Sequence, residues 1–129
     1  MPGETLAGKF GRELKSRPNL HPNAEDIFAA LAKAGVVVAA PSQSLGATYK
    51  ADYCTGAITS DGLMSAMVCE YGNEADAITG RDYSKSIFPN LATRTVTAHK
   101  TNTLTIIDQK STDASKAEAK KAVDAFNAL

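Results

Sequence analysis

An α+β fold, a mostly antiparallel sheet of about five strands with helices packed on one face in a two-layer sandwich, is what this sequence predicts, and three observations lead there. Two strand-like runs, from Tyr49 to Ser60 and from Leu63 to Tyr71, meet at Asp61-Gly62, a dipeptide that favours tight hairpin turns. The threonine-rich stretch from Thr93 to Asp108 alternates polar and apolar residues and reads as a second hairpin. The remaining segments carry helical periodicity and capping residues, joined by the short connections that antiparallel neighbours need.

Residues 1–22 read as a short helix and a linker. Leu6, Phe10 and Leu14 recur four apart along one helical stripe. The prolines at 18 and 22 then bias their predecessors out of the α region and end it. A single α+β domain follows, over residues 23–129. Its first helix starts near Asn23, with Glu25 and Asp26 in the first turn, Ile27, Phe28 and Leu31 on one face, and Gly35 as the stop. Val36 to Ala39 is bounded by Gly35 and Pro41 and predicts a short strand, with a loop from Pro41 to Gly46.

In the central hairpin a two-residue turn at Asp61-Gly62 sets Cys54 opposite Cys69. These are the two cysteines of the chain, so a disulfide is expected, and with it an oxidising compartment. Such a turn makes them a hydrogen-bonded pair. Alternation puts Cys54, Gly56 and Ile58 on one face with Cys69, Met67 and Ser65, and that face is taken as the core. Asn73 caps the next helix, which runs to about Phe88 with Ala77, Gly80, Ser84 and Ile87 inward and Pro89 closing it. The second hairpin pairs Val96 with Ile106 and Ala98 with Leu104, through a three-residue loop Lys100-Thr101-Asn102 with Asn102 left-handed and Arg94 opposite Asp108. Ser115 and Glu118 form a capping box for a last helix that turns Ala119, Ala122, Val123, Phe126 and Leu129 to one side.

Composition sets aside several function classes. The 129 residues carry 14 basic and 14 acidic side chains, a formal charge of zero, without the basic footprint of a nucleic-acid binder. No apolar run approaches the roughly 18 residues of a membrane span. Gly3 to Lys9 resembles part of a phosphate-binding loop, but Phe10 stands where a Ser or Thr would hold magnesium, and no strand precedes it. His21 and His99 have no companion at metal-ligand spacing, so neither metal nor cofactor is expected. The cysteines lie on the face taken as buried, against a nucleophilic role. No hydrolase or metalloprotease signature is present.

Burying the cysteines forces their strand neighbours outward. Tyr49, Tyr53, Met64 and Val68 then form an exposed aromatic and apolar patch, the candidate binding surface for a protein partner or for self-association.

The run Tyr53-Cys54, followed by Ala66-Met67-Val68-Cys69-Glu70-Tyr71 and an acidic helix start, resembles the mature domains of small bacterial envelope lipoproteins. The likeness spans about Asn23 to Phe126 and implies an envelope or periplasmic location. It implies no activity, and the lipid-attachment cysteine of such proteins is absent. Met1-Pro2-Gly3-Glu4 runs straight into polar sequence without a secretory signal, so any export or anchoring segment is expected to lie outside the given chain, the alternative being a cytoplasmic protein. The expected function is that of a non-catalytic binding domain. The alternative is a small enzyme whose acid and base lie on distant segments.

Overall fold

Both hairpins join one antiparallel sheet. The computed structural model describes residues 4–88 and 93–129. Its strands are β1 (Ser42–Ser44), β2 (Tyr53–Ile58), β3 (Met64–Glu70), β4 (Arg94–His99) and β5 (Asn102–Asp108), in spatial order β1-β2-β3-β5-β4. The helices are α1 (Leu6–Lys15), α2 (Ala24–Lys33), α3 (Glu74–Ile87) and α4 (Asp113–Asn127), with a 3-10 turn at Gly46–Tyr49. The α+β class and the five-stranded antiparallel sheet are as the sequence predicts.

The layers differ from the expectation, because helices cover both faces of the sheet. On one face α2 and α4 bury Met64, Ala66, Val68, Leu104 and Ile106 under Ile27, Leu31, Ala122 and Phe126. On the other face α3 and the 3-10 turn cover Cys54 and Cys69. The small stripe Ala77, Gly80 and Ser84 lets α3 come close: Gly80 lies directly against the Tyr71 ring, whose hydroxyl donates to the Tyr49 carbonyl over 2.9 Å. With core on both faces, the alternation of these strands no longer marks an inside and an outside, although Ile58 and Ile107 on the α3 face stay open to solvent.

The central register is the predicted one, with Cys54 opposite Cys69 and Ile58 opposite Ser65. The turn is longer than expected. Thr59 N–H donates to the Met64 carbonyl over 2.8 Å and closes a four-residue loop, Ser60 to Leu63, in which Gly62 has φ 74°. This inverts the phase of the ladder, so Cys54 and Cys69 form a non-hydrogen-bonded pair, the kind whose side chains approach most closely. Asp61 shapes the loop by accepting from the Thr59 hydroxyl and the Leu63 N–H, at 2.7 and 3.0 Å.

The second hairpin is slipped by one residue from its expected register. Val96 pairs with Thr105, Ala98 with Thr103 and Arg94 with Ile107. The loop is Lys100-Thr101, with Lys100 rather than Asn102 in the left-handed region. Asn102 is a buried strand residue whose amide donates to the Pro22 carbonyl over 2.7 Å. The slip sends Val96 to the α3 face and Ile106 to the α4 face, and each finds a core there.

Elsewhere, Val38 makes one bridge, to Thr59, and the expected strand over Val36–Ala39 does not form. β1 arises instead within the expected loop, where the Gly56 to Cys54 edge of β2 offers its ladder to a serine-rich segment that no propensity would select. Asn23 and Asn73 cap α2 and α3 as expected. α4 starts one turn early, because Thr112 and Ser115 form the capping box in place of Ser115 and Glu118. In the glycine-lysine segment near the N-terminus Thr5 caps α1, so it is a helix start; Gly3, like Pro89, lies outside the described residues.

Candidate functional site

The cysteines are disulfide-bonded, with Cα atoms 4.1 Å apart, and both are buried. The four residues expected to form a binding patch do not do so. Met64 and Val68 are fully buried, because α2 and α4 occupy the face that a one-sided helical layer would have left open, and Tyr53 retains 7 % of its surface. Tyr53 carries the Arg17 guanidinium on its ring at 4.3 Å. Tyr49 is half-buried on the opposite side, with its ring 6.5 Å from that of Phe88.

Two surfaces of the sheet stay open among the described residues: part of the α3 face, where Ile58 and Ile107 are 54 and 36 % exposed, and the edge at β4. Asp108 N–H donates to the Thr93 carbonyl over 2.8 Å, which fixes the phase of the β4–β5 ladder. Thr95, Thr97 and His99 turn their backbone groups toward β5. Arg94, Val96 and Ala98 turn theirs away from it, and among the described residues these N–H and C=O groups have no partner. Beside this edge, on the α4 face, runs a groove of about 510 Å³ between β4 and α4. Thr95, Ile106, Ala119 and Val123 line it, and Lys116 and Lys120 stand at its rim. Lys120 is paired with Asp124 at 2.7 Å. Further along β4, outside the groove, His99 bonds the Leu129 carbonyl over 2.5 Å and meets the Phe126 ring edge-on.

Natural sheets protect their edges with short strands, lysine, proline, bulges or covering segments. β1, the other edge, is three residues long and is tied to α1, where the Gln43 amide donates to the Phe10 carbonyl over 2.8 Å. The buried Glu13 carboxylate of α1 accepts from Gly46 and Ala47 N–H, at 2.7 and 3.1 Å, and caps the 3-10 turn. Among the described residues β4 has none of these devices except Arg94, whose guanidinium is turned back onto Ser84.

Two polar clusters lie away from this edge. Arg17 makes a two-pronged pair with the buried Glu70, at 2.7 and 2.6 Å, and reaches Glu25 at 2.5 Å. It thereby holds the Glu25 carboxyl below its ordinary range. Glu70 also accepts from Ala24 N–H over 2.8 Å. The second cluster is a carboxyl pair. Burial, followed by hydrogen bonding to Asp61 and repulsion from its charge, pushes Glu118 up to about 7, and one oxygen of Glu118 is buried without a partner. Neither carboxyl lines the β4–α4 groove. Among the described residues no three His, Cys, Asp or Glu side chains gather in a way that could hold a metal ion, and no helix is long and apolar enough to cross a membrane.

No family model, curated protein or solved structure matches this chain.

Proposed function

We propose that this chain is a non-catalytic protein-binding domain of the cell envelope, and that it takes up an extended protein segment along β4. The observation that carries the reading is the row of unpartnered backbone groups at Arg94, Val96 and Ala98 beside a groove with an apolar floor. An added strand finds there both the hydrogen bonds that give affinity and a recess for alternate side chains. The buried disulfide and the likeness to envelope lipoproteins favour an oxidising, extracytoplasmic setting. The second reading, a small enzyme, rests on the Asp61–Glu118 pair, since a carboxyl raised toward neutrality suits a general acid. It is the weaker one, because that pair lies outside the groove.

Selection of displayed random peptides against the disulfide-bonded protein tests the binding reading. Selected peptides are expected to slow amide exchange at Arg94, Val96 and Ala98, and to bind an Ala98→Pro variant at least about tenfold more weakly, since proline removes one edge donor. Peptides that leave those amides unprotected, or that bind both proteins equally, overturn it.

A further inference from the structure

We infer that the segment received by β4 is the β4 strand of a second copy of this chain, paired antiparallel about a two-fold axis at Val96; this rests on the reading of β4 as the binding edge. Strand direction and phase dictate the register. The outward groups of Arg94, Val96 and Ala98 match their own copies when Val96 faces Val96 and Arg94 faces the second copy's Ala98. Every outward N–H then meets an outward C=O, and no two arginines oppose each other. The same axis places Thr95 of each copy beside Thr97 of the other, on the groove side. The two sheets become one continuous sheet.

The charges agree with this arrangement. α3 runs along β4 in the opposite direction: Glu74 and Ile78 stand beside Ala98 and His99, and Ser84 bonds Arg94 at the other end. A two-fold axis at Val96 therefore sets the two copies of α3 antiparallel, in neighbouring positions over the shared sheet. Glu74 and Asp76 lie in the first turn of α3 and Lys85 in its last, Arg81 being paired with its neighbour Asp82 at 3.0 Å, so each acidic end meets the end that carries Lys85. The helix dipoles are opposed in the same sense. Ile78, 47 % exposed in the single chain, lies at the margin of this contact. The formal charge of zero leaves no net repulsion between copies.

The register yields a test that no other pairing mimics. Thr95→Glu with Thr97→Glu creates like-charged pairs between copies, whereas Thr95→Lys with Thr97→Glu puts each lysine opposite a glutamate. Sedimentation equilibrium from micromolar to millimolar concentration is expected to show a dimer for the natural chain. The doubly acidic variant is expected to dissociate at least about tenfold more readily, since like charges directly opposite oppose pairing. The mixed-charge variant is expected to remain dimeric, which shows that substitution at these positions leaves the fold intact. Ala98→Pro, which removes an edge N–H without adding charge, is expected to be monomeric. A natural chain that stays monomeric at millimolar concentration, or a doubly acidic variant that dimerises as tightly as the natural chain, overturns the inference. A monomer whose β4 amides are still protected by selected peptides overturns the second copy alone; a monomer with no such protection sinks the binding reading as well.

Discussion

Glu118 is the residue at which burial and charge conflict most directly. Its carboxyl is pushed up to about 7 by burial first and by Asp61 second, while Asp61 is held below its ordinary range, chiefly by the Thr59 hydroxyl. Keeping its proton spares Glu118 a buried charge beside the Asp61 carboxylate. A carboxyl whose folded value lies above its unfolded one binds more protons when folded, so its contribution is complete below about 4.5 and is lost as pH rises toward 7. Thermal stability should therefore fall across that window, by an amount on the order of 1–3 kcal/mol. Glu118→Gln, which keeps a donor without titrating, should flatten the profile; melting curves between pH 4 and 8, on the order of the window itself, check this. An unchanged slope in the variant removes Glu118 as the cause. Gly80 is a second position where one atom decides. A Cβ there would sit 2.1 Å from the Tyr71 hydroxyl oxygen, and the ring, pinned by the Tyr49 carbonyl and buried so that its hydroxyl rises to about 12, has no room to withdraw. Gly80→Ala should destabilise by about 1–3 kcal/mol in urea, although alanine is the better helix former.

At the scale of elements, sequence reading succeeded where local chemistry has one solution and failed where two were equivalent. Caps at Asn23 and Asn73, and the inward stripe of Ala77, Gly80 and Ser84, follow from residues that have few other roles. The cysteine pairing was legible because Asp61-Gly62 restricts the turn. The loop length was not, since a four-residue loop preserves the same partners while inverting their hydrogen bonding. For the threonine-rich hairpin two adjacent registers bury equally apolar residues, so periodicity could not choose between them. The candidate patch failed for a related reason. Tyr53 and Cys54 do face opposite ways, but both directions are covered, Tyr53 by the Arg17 guanidinium of the linker and Cys54 by the α3 layer. The open β4 edge left a faint signal, a strand without lysine or proline, that acquires meaning only once the strand order is known. The disulfide gives this scale its own test. Replacing Cys54 and Cys69 together by alanine should cost about 3 kcal/mol, the entropy of a loop spanning 15 residues, less whatever hairpin persists in the unfolded chain. The midpoint of the variant should then match that of the reduced natural protein, and a reduced protein as stable as the oxidised one would show that the bond constrains nothing.

Across the whole molecule, one buried ion pair ties the N-terminal segment to the sheet. Arg17 precedes α2 by a short proline-bounded stretch, yet its guanidinium lies on the Tyr53 ring and grips Glu70 at the end of β3. Glu70 is almost wholly buried and also receives the first N–H of α2, from Ala24. β2, β3, α2 and the linker thus converge on one carboxylate, while Glu13 and Gln43 fasten α1 to the β1 edge. A pair of this kind adds little compared with an apolar filling, but removing one member strands the other charge out of water. Arg17→Met should therefore destabilise the protein by about 3 kcal/mol or more. Arg17→Met combined with Glu70→Gln should recover a large part of that loss, because a neutral amide can still accept from Ala24 N–H without needing a countercharge. Glu70→Gln alone should fall between the two, since Arg17 keeps Glu25. Urea unfolding of the three variants decides the matter, together with limited proteolysis between residues 17 and 23, where only the single Arg17→Met chain should be cleaved quickly. Additive losses in the double variant would mean that Arg17 and Glu70 act independently, and that the linker is held to the sheet by the Asn102–Pro22 contact instead.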